Sequence, residues 1–485
     1  MDRETLSNYG WVVIVVIVLA IMIALASPFG SYIKNGIVGV LDDFSNEVEV
    51  VPSVEYLQDV HDFKYYSTVQ GAISDINAGT AGENGNENKD LAEAGVYIDK
   101  AGIPNVVLLK DVELTAKLAP SVDMVINLGG NVLSGSGILI VDSMGGELTI
   151  DGRLEGSKII NDYTTFQLRA GTVNINGVTC INEGSADPSK EIRIVDSMAT
   201  TNISNCNFVV TAPGAAIGIN IRQNSSLNIS DSYIESNAGS GVGRGINIGS
   251  SATATISNTK VFGTSESSHS VGLYVGSSAN VTALNSKLHG YCNYDGSASL
   301  SYGVQQTGNL SLINCDVKGT HSGLQLNRDS SGSLYINGGS FESYGHGGLY
   351  LVGDGTNEIY IENATFKECS MPDGYTVTGD GGTNGTGLYI GNKSNLSVYM
   401  NNCNIYGSVQ PIVLRDEGGV EGVSLYISNS KINKDSSRGI RVDNNTYRIY
   451  MGVGNNFDSN DLWIHFIAEE DLSTVVVATD GVYKK

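Results

Sequence analysis

From roughly Gly171 to Asn460, apolar and polar residues alternate in short runs broken by Gly, Asn and Ser. The same phrase returns about every 27 residues. A Gly precedes one alternating run, and after a loop a second run ends in a small residue with an apolar one two places later. The small residues are Cys206, Ser232, Thr259, Ser286, Cys315, Gly339, Ala364, Cys403, Ser430 and Asn455. Their apolar partners are Phe208, Ile234, Val261, Leu288, Val317, Phe341, Phe366, Ile405, Ile432 and Phe457. A register held over so many copies predicts stacked units sharing one continuous core, a solenoid. Inward positions fall at Ile219/Ile221, Ile246/Ile248, Leu273/Val275, Leu324/Leu326, Leu349/Leu351, Leu388/Ile390, Ile412/Leu414 and Ile440/Val442, with their neighbours facing solvent.

Ahead of the repeat the pattern changes twice. Trp11 to Ala26 is an unbroken apolar run which, with its flanks, is long enough to span a bilayer. Ala24-Leu25-Ala26 resembles a signal cleavage site, but the run is long for a signal and Asp2-Arg3-Glu4 lacks a positive excess, so an uncleaved anchor is expected. Phe29, Ile33, Ile37, Val40, Leu41 and Phe44 then recur at helical spacing, continuing the helix beyond Pro28. The expected division is residues 1–48 as transmembrane and juxtamembrane helix, 49–104 as connector, and 105–485 as solenoid. Within the connector, Val69, Ala72, Ile73 and Ile76 share a helical face behind a Ser67 or Thr68 cap. That helix would suit a lid over the open solenoid end, where strand edges invite aggregation.

Gly is abundant at 60 residues and Pro scarce at 8, which suits many tight turns. A net charge of −23 argues against nucleic acid, since a polyphosphate needs a basic face. The six cysteines invite a disulfide reading. The repeat opposes it, because Cys206 and Cys315 would stand roughly 19 Å apart at about 4.8 Å per turn. They read instead as small buried residues, and no spacing suggests zinc.

Val125-Ile126-Asn127-Leu128-Gly129-Gly130-Asn131, Gly387-Leu388-Tyr389-Ile390 and Ile427-Ser428-Asn429-Ser430-Lys431-Ile432 resemble phrases of the right-handed parallel β-helix proteins of the pectate-lyase-like superfamily, especially bacterial surface members. The resemblance covers about residues 105–470. It implies an all-β, single-stranded right-handed parallel β-helix, and it leaves activity open among lyases, hydrolases, tailspikes and non-catalytic adhesins. The first 45 or so residues loosely resemble bacterial pilin-like subunits, without the type IV processing site. This implies possible self-assembly through residues 10–44.

The clearest pattern beyond the core is a row of outward tyrosines, Tyr335, Tyr360, Tyr399 and Tyr426, each four places before the small residue. Tyr450 joins if its turn has one extra residue. On the preceding strand Tyr274, Tyr350 and Tyr389 also point outward. Stacked aromatics stabilise a sheet, and they also suit an apolar-faced, hydroxyl-edged platform for sugar rings. His321 and His346 should stack in adjacent turns, as should Asp329 and Asp354 about 5 Å apart. The two acids could hold Ca²⁺ or act as a carboxylate pair on a glycosidic bond, with His346 as a further catalytic candidate. Gly345-His346-Gly347 echoes the polygalacturonase-like hydrolases, but their other elements are missing.

These readings converge on a membrane-anchored β-helix displayed outside the cell that binds a polysaccharide or cell-surface glycan through the tyrosine row. No cofactor is expected beyond possible Ca²⁺, and no nucleic acid. A polysaccharide lyase or glycoside hydrolase, and a pilin-like filament subunit, are the alternatives.

Overall fold

The computed structural model describes residues 51–184, 187–293, 300–327, 330, 332–352, 357–368, 386–391, 396–407, 410–415, 423–434, 440–442, 447–457, 464–466 and 476–478. The chain divides into two units, Met1–Pro52 and Ser53–Lys485. The apolar run, residues 10–44 and the anchor expected over 1–48 all lie outside the described residues. Among the described residues, no helix is long and apolar enough to cross a membrane.

The second unit is an all-β parallel solenoid of three sheets, A, B and C, with 17, 14 and 13 strands among the described residues. One turn runs Thr200–Ser204 in A, Asn207–Ala212 in B and Ala215–Ile221 in C before Ser226–Ser230 returns to A. Period-two alternation forces this arrangement. Ile203, Ile229, Ile256, Ala283 and Leu312 stack in register on the inner side of sheet A, and all are buried. The inward pairs expected on sheet C, from Ile219/Ile221 to Ile440/Val442, are fully buried in one core. Right-handed winding is the sense that parallel crossovers take in general.

The corner between sheets A and B explains the small residue of the repeat. The position before it adopts a left-handed backbone: Asn205 (φ 53°), Asp231 (51°), Asn258 (49°), Asn285 (49°), Asn314 (53°), Asn363 (58°), Asn402 (53°) and Asn429 (49°). Asn and Asp tolerate that conformation because their short side chains bond locally. Gly339 adds a second positive angle, φ 93°, and a Cβ there would lie 2.2 Å from the Cys315 carbonyl oxygen, so this turn requires Gly. Where the small residue is Ser, Thr or Cys, it donates to the carbonyl two places back. Ser232 Oγ reaches Ser230 O at 2.6 Å, Thr259 Oγ1 reaches Ser257 O at 2.7 Å, and Cys206 Sγ reaches Ser204 O at 3.2 Å. Hydroxyl and thiol therefore exchange freely at this corner. The five described cysteines, Cys180, Cys206, Cys292, Cys315 and Cys403, are buried, and no disulfide joins any two of them, as the repeat predicts.

The connector differs from its expected form. A helix α1 (Val54–Val60) opens it, and two strands, β1 (Lys64–Tyr66) and β2 (Ala94–Ile98), pair antiparallel with each other and with β3 (Pro104–Leu108). These strands extend sheet A, so the segment is built into the solenoid rather than leading to it. Helix α2 (Val69–Asn77) is capped by Thr68, whose Oγ1 accepts from Gly71 N at 3.1 Å, and it buries Val69, Ala72, Ile73 and Ile76 in the main core. Gln70 Nε2 donates to Ala116 O at 3.0 Å and Asn77 Nδ2 to Ala119 O at 2.8 Å, fastening the helix over the first turn as a lid. The polar loop beyond it is held by Asp75, which accepts from Tyr66 Oη at 2.8 Å and from Asn84 Nδ2 at 2.8 Å.

Candidate functional site

The outward central row of sheet A changes chemistry along the solenoid. At its start Asn202 Nδ2 donates to Asn174 Oδ1 at 2.8 Å, and Asn228 Nδ2 to Asn202 Oδ1 at 2.9 Å. Thr255, Thr282 and Ser311 continue the row, and Tyr335, Tyr360, Tyr399, Tyr426 and Tyr450 then follow in register. Tyr450 joins the row although it stands five places before Asn455, so its turn holds the extra residue.

Four of the rings form a continuous stack. Tyr360–Tyr399 centroids lie 5.0 Å apart at 9°, Tyr399–Tyr426 4.6 Å at 11°, and Tyr426–Tyr450 4.3 Å at 6°. Near-parallel rings at this spacing cover each other's faces, and what they present sideways is their edges. The platform of exposed ring faces expected from sequence is therefore replaced by a wall of edges and hydroxyls. A ring edge carries the positive part of the aromatic quadrupole and attracts oxygen-rich groups.

Tyr335 stands apart from the stack. Its hydroxyl accepts from Asn337 Nδ2 at 3.2 Å, two places ahead, whereas Tyr360 Oη donates to Glu358 Oε2 at 2.8 Å, two places behind. The two side chains thus bend in opposite senses along the strand. The bend toward Glu358 opens a groove of about 410 Å³ on the other side of the stack, lined by the tyrosines with Glu362, Asn401 and Ser428. Glu362, Asn401 and Ser428 sit in one register row, two places after the tyrosines. They went unremarked in the sequence, though the tyrosine position plus two would have found them. Glu358 raises the Tyr360 phenol above its ordinary value through that hydrogen bond, and burial with the neighbouring phenols does the same for Tyr426. Tyr335 and Tyr360 are the most exposed members of the row, at 36% and 44%.

Tyr350 and Tyr389 belong to a different assembly on sheet C. Their centroids are 4.7 Å apart, but Tyr389 is buried against Val352 and Val413, so it is no exposed binding residue. His346 and His321 do lie together in adjacent turns, 4.3 Å between centroids with the rings tilted by 52°, beside Tyr350 and Tyr302. His321 is buried, with Ser322 Oγ 2.8 Å from its Nδ1. Burial, then the charges of His346 and His269, push its imidazole well below the usual range. It is a neutral packing group at pH 7. Asp329 and Asp354 lie outside the described residues, and so does any carboxylate pair or Ca²⁺ site made from them. Among the described residues, no three His, Cys, Asp or Glu side chains converge as metal ligands.

No family model matches the chain, and no curated protein matches it. Among solved structures it is similar to pectate lyase Pel9A, at 12% identity over 62% of this chain and 70% of the lyase, with a TM-score of 0.34. It is also similar to the Siphovirus 9NA tailspike receptor-binding domain, at 9% identity over 87% of this chain and 76% of that one, with a TM-score of 0.23. These likenesses are loose, and the functional reading rests on the site itself.

Proposed function

We propose that this chain is a non-catalytic, surface-displayed β-helix that binds an extended glycan lengthwise in the groove beside the tyrosine stack. The groove itself supports the reading: one wall is the edges of the tyrosine rings, and the other carries Glu362, Asn401 and Ser428. Those groups repeat once per turn, about every 4.8 Å along the axis. A regular series of donors and acceptors suits a polymer of repeating polar units better than a compact ligand, which would engage one or two turns. Sugar hydroxyls would meet the amide, carboxylate and serine groups, while C–H surfaces would lie against the tyrosine rings. We place the solenoid outside the cell, held at the membrane by the apolar run Trp11–Ala26.

The experiment is a glycan array with the full-length chain and the variant Tyr360→Ser/Tyr399→Ser/Tyr426→Ser. Retained circular dichroism with lost binding is the expected result. Unchanged binding by a folded variant would remove the groove from the function.

A further inference from the structure

Sheet B presents a face of different character from sheet A. Lys260 pairs in register with Lys287, and Lys287 with Asp316; two residues further along the strands, Phe262 pairs with His289 and His289 with Lys318. Both Lys260 and Lys287 are exposed, and among the described residues no carboxylate oxygen lies within 4.0 Å of either amino group. The surrounding acids are already engaged. Asp316 meets His289 Nε2 at 3.2 Å and Lys318 Nζ at 3.7 Å. Glu342 meets Lys318 at 3.3 Å and Lys367 at 3.2 Å. Glu235 accepts from Tyr233 Oη at 2.5 Å and Asn237 Nδ2 at 3.0 Å. Two adjacent cations thus make no direct ion pair, although Lys287 stands near enough to Asp316 to help hold its carboxyl below the usual range, on a molecule whose net charge is −23.

Beside them is an ordered aromatic strip. Tyr233 and Phe262 centroids are 5.5 Å apart, His289 meets Phe262 edge-on at 5.2 Å, and Tyr291 lies 5.7 Å from His289. Tyr291 Oη is 3.1 Å from His289 Nδ1, whose other nitrogen faces Asp316. The His–Asp pair therefore fixes the phenol, and the Asp316 carboxylate contacts His289 and Lys318 rather than Lys287 directly.

We propose that this face is a second binding site, for a saccharide unit bearing a carboxylate. Neighbouring turns about 4.8 Å apart let Lys260 and Lys287 address the two oxygens of one carboxylate. The sugar's C–H surface packs on Phe262, and the fixed Tyr291 hydroxyl reaches its polar edge. A dense polyanion such as nucleic acid is repelled by the acidic molecule as a whole, whereas a sugar with a single carboxylate needs only the local pair of cations. The site lies on a different sheet from the tyrosine groove and stands or falls separately from it.

Titration calorimetry on the full-length chain tests this, with a short oligoglucuronate and the same oligomer after its carboxyls are reduced to alcohols. The acid form should bind at least about tenfold tighter, the worth of one charge-assisted hydrogen bond. Lys260→Glu/Lys287→Glu should lose that margin, and the milder Lys260→Gln/Lys287→Gln should lose most of it with an unaltered melting curve. Tyr399→Ser/Tyr426→Ser should keep it. Equal affinity for both oligomers, no binding of the acid form, or unchanged binding in the folded Gln variant would each overturn the proposal.

Discussion

The early and late turns of this solenoid share a backbone and a core but hold their outer faces together by different chemistry. On sheet A, the early turns run an amide chain through Asn174, Asn202 and Asn228, and the late ones stack tyrosines from Tyr360 to Tyr450. On sheet C, the early turns bury Asp142 between Lys117 (2.5 Å) and Arg169 (2.6 Å), and Asp196 against Arg193 (3.0 Å) and Arg222 (2.5 Å). The late turns bury His321 among His346, Tyr302 and Tyr350 instead. A solenoid's stability is close to a sum over turns and their interfaces, so each stretch can change its outer chemistry without consulting the other. The core fixes the register, and the outer rows are free to specialise.

The shared core is the part to break first. Phe208→Ala early and Phe341→Ala late should each cost about 3–5 kcal/mol in denaturant unfolding, because both are fully buried rings. Clearly unequal costs would mean that the two stretches do not share a common core after all. Acid should then separate them. A buried neutral His321 gives its full stability above about pH 6.5 and loses it as pH falls toward its depressed folded value, since the unfolded imidazole takes up the proton first. Burial alone would raise Asp142 and Asp196, but Arg169 with Lys117, and Arg222 with Asn220, outweigh it and hold both below the usual carboxylate range. Their contribution is present above about pH 3.9 and lost only below it. Hydrogen exchange on acidification should therefore quicken around Gly347–Leu351 while Glu191–Ser197 stays protected, and His321→Phe should abolish the early step. Simultaneous loss in both regions would erase the distinction. The smallest effect is chemical: burial pushes the Cys180 and Cys206 thiols up to about 12 and Cys403 to about 11. All should resist a thiol reagent at pH 8 until the chain is denatured, early and late alike.

Much of this was legible in the sequence because the repeat supplies coordinates. The inward pairs and the helix capped at Ser67 or Thr68 followed from spacing and alternation, as did Tyr450 on condition of one extra residue in its turn. Ring orientation did not follow, since which way a tyrosine bends depends on the neighbours Glu358 and Asn337 that its hydroxyl finds. Nor did the burial of Tyr389, which is decided by Val352 and Val413 in adjoining turns. The strands β1 and β2 were missed because they are short and lie outside the repeat. The sheet B cations lay within reach: Lys260 and Lys287 stand one place before the core residues Val261 and Leu288.

The left-handed corner has a last consequence. Asn258 bonds to Asp231 across 27 residues of sequence, yet Asn402 bonds to Asn363 across 39. The corner thus closes on its neighbour regardless of how much chain is spent between visits, so the molecule behaves as a rack into which loops of differing length can be slotted. Exchanging the segment between Phe366 and Thr386 should therefore leave the Asn402–Asn363 bond in place while the rack goes on counting turns.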